Sequence, residues 1–267
     1  MTANEQFSAN PIQFLIENTL INYQPESHIY GKLVEPNFQK KAKGINMNQY
    51  QDGDGKIRYD LANIGNRKYV LRRLVPAAVS NAQGVAVPAW PADYIEGNYF
   101  PYLPGGVANL QDMGQITVNT LELPVFTFTG AMNGCAFVVT DTVPRQNNRY
   151  VCYHYQSPES NPLYGPNGAG RFPGTMRCYV QASDYLPAAW QRRFTQNALP
   201  ATFIFMWRNP RTGELRIISE TVAVRPDNSV PNYQSKLVQS WLLQSNAEVG
   251  AAIRPYTNLN HQVHVRP

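Results

Sequence analysis

Seven segments between residues 116 and 224 restrict the fold more than any other feature of the chain. ITVNTLEL, VFTFTG, CAFVVTDTV, RYVCYHYQ, TMRCYVQA, ATFIFMWRN and LRIISETVAV each alternate or run apolar, and each is rich in β-branched and aromatic residues. Asn209-Pro210-Arg211-Thr212-Gly213 separates the last two and has the composition of a hairpin turn. Many consecutive strands with few helices point to an α+β fold: a bent β-sandwich of mostly antiparallel strands with outer helices and long loops. With 267 residues, 43% of them hydrophobic, the chain is long enough to bury a core of that size. Its 18 glycines and 21 prolines suit the turns.

Three helices are expected. Asn10 followed by Pro11 caps a short helix over IQFLIENTLI. PAAWQRRFTQNA, with Pro187 near its start, gives a second. NYQSKLVQSWLLQSNA, in which Leu237, Trp241 and Leu242 supply an apolar face, gives a third. Residues 77–115, dense in Pro, Gly and Asn, read as long loops with little regular structure. Residues 1–100 are the least readable part and form an N-terminal region of unclear role, separate from or continuous with a catalytic sandwich over 101–267.

Several function classes find no support. The net charge of +5 is only mildly basic. The clusters Lys40, Lys41, Lys43, then Arg72 with Arg73, then Arg192 with Arg193, are too short to mark a nucleic-acid groove. No apolar run approaches a membrane span, and the N-terminus lacks the basic start and apolar stretch of a cleavable secretory signal. YQDGDGKIRYDL places Tyr50 and Leu61 where a calcium loop needs carboxylates, so a tight turn before a strand is expected there. No Gly-rich phosphate loop is present. His28 has no evident partner. His261 and His264 lie three apart without a third ligand, and no metal or organic cofactor is expected.

The three cysteines, Cys135, Cys152 and Cys178, are odd in number and form no CxxC, which argues against a disulfide framework or a four-cysteine zinc site. Cys135 follows the small turn Gly130-Ala131-Met132-Asn133-Gly134 and opens a strand; His154 lies on the next one. If the two strands pair about a turn near Arg145 to Asn147, Cys135 and His154 come roughly opposite one another. A neighbouring imidazole lowers a thiol's pKa and holds its proton. Backbone N–H groups left unpaired at Asn133-Gly134 would stabilise an oxyanion, and the glycine would admit a substrate chain. Other readings stay open: Cys135 as a buried strand thiol, His154 as a half-buried strand residue, and Cys152 as a rival nucleophile on the same side of its strand as His154. Cys178 reads as core.

The stretch TGAMNGC, followed by a strand, a loop and a strand carrying His, resembles the catalytic region of the cytotoxic necrotizing factor and Burkholderia lethal factor group of toxins, with bacterial chemoreceptor deamidases as more distant relatives. The resemblance spans residues 125–156. Met132-Asn133-Gly134-Cys135 stands at that group's Leu-Ser-Gly-Cys, with Asn133 in place of the serine. His154 matches its histidine across a longer loop, and Thr129, six residues before the cysteine, matches the third catalytic residue of the Burkholderia member. What the resemblance implies is a toxin or injected effector, secreted without a cleavable signal and acting in the host cytosol. It would deamidate a glutamine of a host protein, with no metal or organic cofactor, through Cys135, His154 and Thr129, with Asn133 and Gly134 at the oxyanion. A Cys–His protease or transglutaminase would use the same pair. A non-enzymatic alternative is a tyrosine-rich binding surface built from Tyr94, Tyr99, Tyr102, Tyr153 and Tyr155.

Overall fold

The computed structural model describes residues 1–23, 56–74, 77–80, 86–100, 110, 113–121, 126–130, 132, 134–156, 158, 172–188, 199–224, 236–243 and 262–265. Two short helices open the chain. α1 (Ala3–Ala9) starts with a capping box between Thr2 and Glu5, and α2 (Pro11–Glu17) starts with Asn10 Oδ1 accepting the Gln13 N–H at 3.1 Å and Pro11 in its first turn. The strands are β1 (Thr19–Tyr23), β2 (Ile57–Gly65), β3 (Lys68–Arg73), β4 (Ala77–Ser80), β5 (Ala86–Ala89), β6 (Ile95–Phe100), β7 (Gly114–Asn119), β8 (Phe126–Thr129), β9 (Ala136–Asp141), β10 (Arg149–Tyr155), β11 (Met176–Val180), β12 (Leu199–Arg208), β13 (Leu215–Val224), β14 (Lys236–Leu242) and β15 (Gln262–Val265). A four-residue helix, α3 (Ala182–Tyr185), follows β11.

Nine strands form one sheet in the order β1-β3-β2-β6-β8-β12-β13-β14-β15, and four form another in the order β11-β9-β10-β7. Most pairs are antiparallel; β1–β3 and β6–β8 are parallel. Strands from either side of residue 100 therefore share the larger sheet, since β6 pairs directly with β8.

Side-chain alternation turns the sheets into layers. On β12, Phe203, Phe205 and Trp207 join a core with Phe126 and Phe128 of β8 and with Phe7, Phe14 and Leu15 of the helices. Ile204 and Met206 face the other way, into a core shared with Phe137 and Val139 of β9, Cys152 of β10 and Cys178 of β11. The larger sheet is thus covered by α1 and α2 on one face and by the smaller sheet on the other, the sandwich with outer helices expected from the strand pattern. Burial on both faces explains why ATFIFMWR runs apolar instead of alternating. The smaller sheet's far face carries Tyr153, Tyr155, Tyr179 and Phe172.

Three expectations need correction, besides the helix over IQFLIENTLI, which ends at Glu17, with Thr19–Tyr23 paired to β3 as β1. Residues 236–242 are a strand, not a helix. Leu237 and Trp241 are four apart, which fits one face of a helix and one face of a strand equally. Pairing to β13 on one side and β15 on the other, with Gln239 and Ser240 buried, decides for the strand. Second, 77–115 holds regular structure: the β4–β5 hairpin, β6, and the start of β7. Third, the tyrosines do not form a surface: Tyr99, Tyr153 and Tyr155 are buried, Tyr94 is half-buried, and Tyr102 lies outside the described residues. The helix expected from Pro187 to Ala198, the turn over 50–55, His28 and His261 also lie outside the described residues, apart from Pro187 and Ala188. Among the described residues no helix is long and apolar enough to cross a membrane.

Candidate active site

The register of the smaller sheet places the cysteine and the histidine. β9 and β10 pair antiparallel with Tyr155 opposite Ala136 and His154 opposite Phe137. Cys135 is one residue upstream of β9 and shares the inter-sheet core with Phe137, so its side chain projects to the face that His154 occupies. The two are diagonal rather than directly opposite neighbours, a relationship that puts Cα atoms about 7–8 Å apart and leaves side chains within reach. On the other flank of β10, His154 is opposite Gly114 of β7, which places no side chain beside the imidazole.

Thr129 comes from the other sheet. Phe126 and Phe128 of β8 face the helices, so Thr129 faces the smaller sheet. Its Oγ1 lies 2.8 Å from His154 Nδ1, and both residues are fully buried. Burial disfavours the imidazolium and lowers the His154 pKa to about 3, so the ring is neutral near neutral pH.

All three thiols are buried. Burial pushes the Cys152 thiol strongly up, and burial together with the nearby Asp184 carboxylate pushes Cys178 up to about 12. Both stay protonated and are poor nucleophiles. Cys135, 6% exposed, is the cysteine that stands at a turn.

Gly134 adopts φ +83°, the left-handed region, and an added Cβ would meet no atom within 4 Å, so conformation rather than crowding calls for glycine. Its N–H is not an open oxyanion donor as expected: it donates to the Tyr185 hydroxyl at 3.1 Å, and that hydroxyl donates to the Cys135 carbonyl at 3.0 Å. Asn133 lies outside the described residues. Tyr185 was not legible as a site residue, because nothing in SDYLP marks it and its contact spans 50 residues of sequence. Met132 is tied to β12 by Met132 N–H to the Thr202 carbonyl at 2.8 Å and Thr202 N–H to the Met132 carbonyl at 3.2 Å.

The arrangement is a thiol at a glycine turn, a neutral imidazole diagonal to it, and a hydroxyl fixing the far ring nitrogen. Sets of this kind pass a thiol proton to an imidazole, which forms a thiolate–imidazolium pair. No protein-family model matches this chain, and no curated protein matches it.

Proposed function

We propose that this protein is a cysteine-dependent deamidase that converts a glutamine side chain of a host protein to glutamate, as a toxin or injected effector. The observation that carries the reading is the 2.8 Å contact of Thr129 Oγ1 with His154 Nδ1, beside a cysteine on the adjoining strand. In addition, Thr129, Cys135 and His154 are the three positions that match the necrotizing factor and lethal factor group.

In this reading Nδ1 carries the proton and donates to Thr129 Oγ1, leaving Nε2 as the base. Nε2 takes the Cys135 proton as sulfur attacks the carboxamide carbon. The tetrahedral intermediate's oxyanion takes hydrogen bonds from backbone N–H groups at Asn133 to Cys135; the Gly134 N–H can serve only when the Tyr185 phenol gives way. His154 then protonates the departing ammonia, leaving a thioester. Water, deprotonated by Nε2, attacks the thioester carbon, and glutamate leaves as sulfur regains its proton. A transglutaminase would admit an amine in place of that water, and a protease would take a peptide carbonyl in place of the carboxamide.

The test is incubation of host-cell extract with wild-type chain and with Cys135→Ala, followed by peptide mass mapping. Deamidation adds about one dalton at a glutamine and releases ammonia, and Cys135→Ala abolishes both. New chain termini or amine adducts would assign the pair to the protease or transglutaminase. An extract left unchanged by wild-type protein would remove the enzymatic reading.

A further inference from the structure

We propose that Tyr185 is a positioning residue for the nucleophile, acting through the Gly134 N–H and the Cys135 carbonyl; this rests on the Cys–His reading above. The phenol accepts from the Gly134 N–H at 3.1 Å and donates to the Cys135 carbonyl at 3.0 Å, so one side chain spans the nucleophile's own backbone. Tyr185 is itself buried and held from behind. Its carbonyl accepts from Thr221 Oγ1 at 3.0 Å, and Thr221 Oγ1 lies 2.9 Å from Thr202 Oγ1. The preceding residue, Asp184, gives its carbonyl to Gln239 Nε2 at 3.1 Å.

Thr202 is also the residue whose backbone bridges to Met132. The turn that carries Cys135 is therefore fastened at both ends to β12–β14: at Met132 by Thr202, and at Gly134–Cys135 by Tyr185. This accounts for the buried polar residues Thr202, Thr221 and Gln239, which the chemistry of Cys135 and His154 does not use. An apolar core would be cheaper at these positions. What the polar network adds is directionality, because hydrogen bonds fix orientation where apolar contacts do not. Gly134 in the left-handed region has the widest conformational freedom of any residue. Without the phenol, nothing described in that turn holds its N–H, and the backbone that carries the sulfur is freed.

The readout is the pH profile of Cys135 alkylation by iodoacetamide, measured by peptide mass mapping on the full chain. A thiol assisted by His154 reacts well at about pH 6, whereas an ordinary thiol gains strongly between about pH 6 and pH 9. Tyr185→Phe keeps the ring and removes the hydroxyl. We expect it to lower the ratio of the rate at about pH 6 to that at about pH 9 by about tenfold. Val238→Ala, which opens the core on the opposite face of the larger sheet, is the control for lost stability and keeps the wild-type ratio. An unchanged ratio in Tyr185→Phe, or an equal fall in both variants, overturns the positioning role. Rapid exchange of the Gly134 amide in the wild-type chain overturns it without any variant. If wild-type Cys135 already shows the profile of an ordinary thiol, the Cys–His reading itself fails, and the assignment of Tyr185 fails with it.

Discussion

Thr129 on the larger sheet and His154 on the smaller one are joined at 2.8 Å across the core between the two sheets, so the candidate site exists only where the sandwich closes. The hydroxyl and the imidazole are both fully buried, and each satisfies a polar atom of the other.

Replacing that hydroxyl separates its role from its volume. Thr129→Val conserves shape and leaves Nδ1 without this partner, at a stability cost of about 1–3 kcal/mol. In the enzymatic reading, deamidation falls by about 10- to 100-fold, the kinetic equivalent of a similar free energy, while Thr129→Ser retains most of it. Ammonia release by the two variants checks this; equal activity in Thr129→Val would show that the contact is structural only.

The neutral, buried imidazole should make the fold acid-sensitive. The His154 pKa is lowered from 6.5 to about 3, so the unfolded chain binds the additional proton between those values. Stability from this residue is complete above about pH 6.5 and is lost as pH falls toward about pH 3, by a few kcal/mol in all. Urea midpoints across that window should fall more steeply in wild type than in His154→Gln. Parallel curves would mean that His154 is hydrated or already charged.

Cys152 and Cys178 are expected to be bystanders. Their thiols are held protonated, whereas in the Cys–His reading His154 takes the Cys135 proton, so iodoacetamide should label Cys135 at least about tenfold faster than either in the native state. Cys152→Ala and Cys178→Ala should each lose stability through a small cavity and leave Cys135 labelling unchanged. Faster labelling of Cys152 would transfer the nucleophile to β10.

A buried cation fastens the N-terminal helices. Lys236 Nζ donates to the Leu15 carbonyl, to the Asn18 carbonyl at 2.6 Å and to the Ile16 carbonyl at 3.4 Å, at the C-terminal end of α2, where positive charge is favoured. It also lies 3.8 Å from Glu220 Oε1. Lys236→Met removes the donor to these carbonyls and the cation beside Glu220, whose carboxyl burial already pushes toward the protonated form, and should cost about 1–3 kcal/mol. Chemical denaturation measures this, and a loss below about 1 kcal/mol would show that Lys236 does not fasten α2 to the sheet.

The sequence by itself determined the sandwich, because alternation and β-branched runs act locally: each strand from β7 to β13 overlaps a segment legible from its own residues, with β7 and β12 each starting two residues earlier than their segments. It also determined the N-cap at Asn10, a contact over three residues. Pairing about the β9–β10 turn was legible too, which brought Cys135 and His154 to one end of the hairpin. Tertiary structure decided the remainder. Leu237 and Trp241 fit either period, and only β13 and β15 on both flanks made them a strand. The face of His154, the partner of its Nδ1, and the clamp of Tyr185 on Gly134 and Cys135 link residues 25, 51 and 50 apart. Hydrogen bonds of that span depend on how two sheets and a helix are packed, and local pattern carries no record of it.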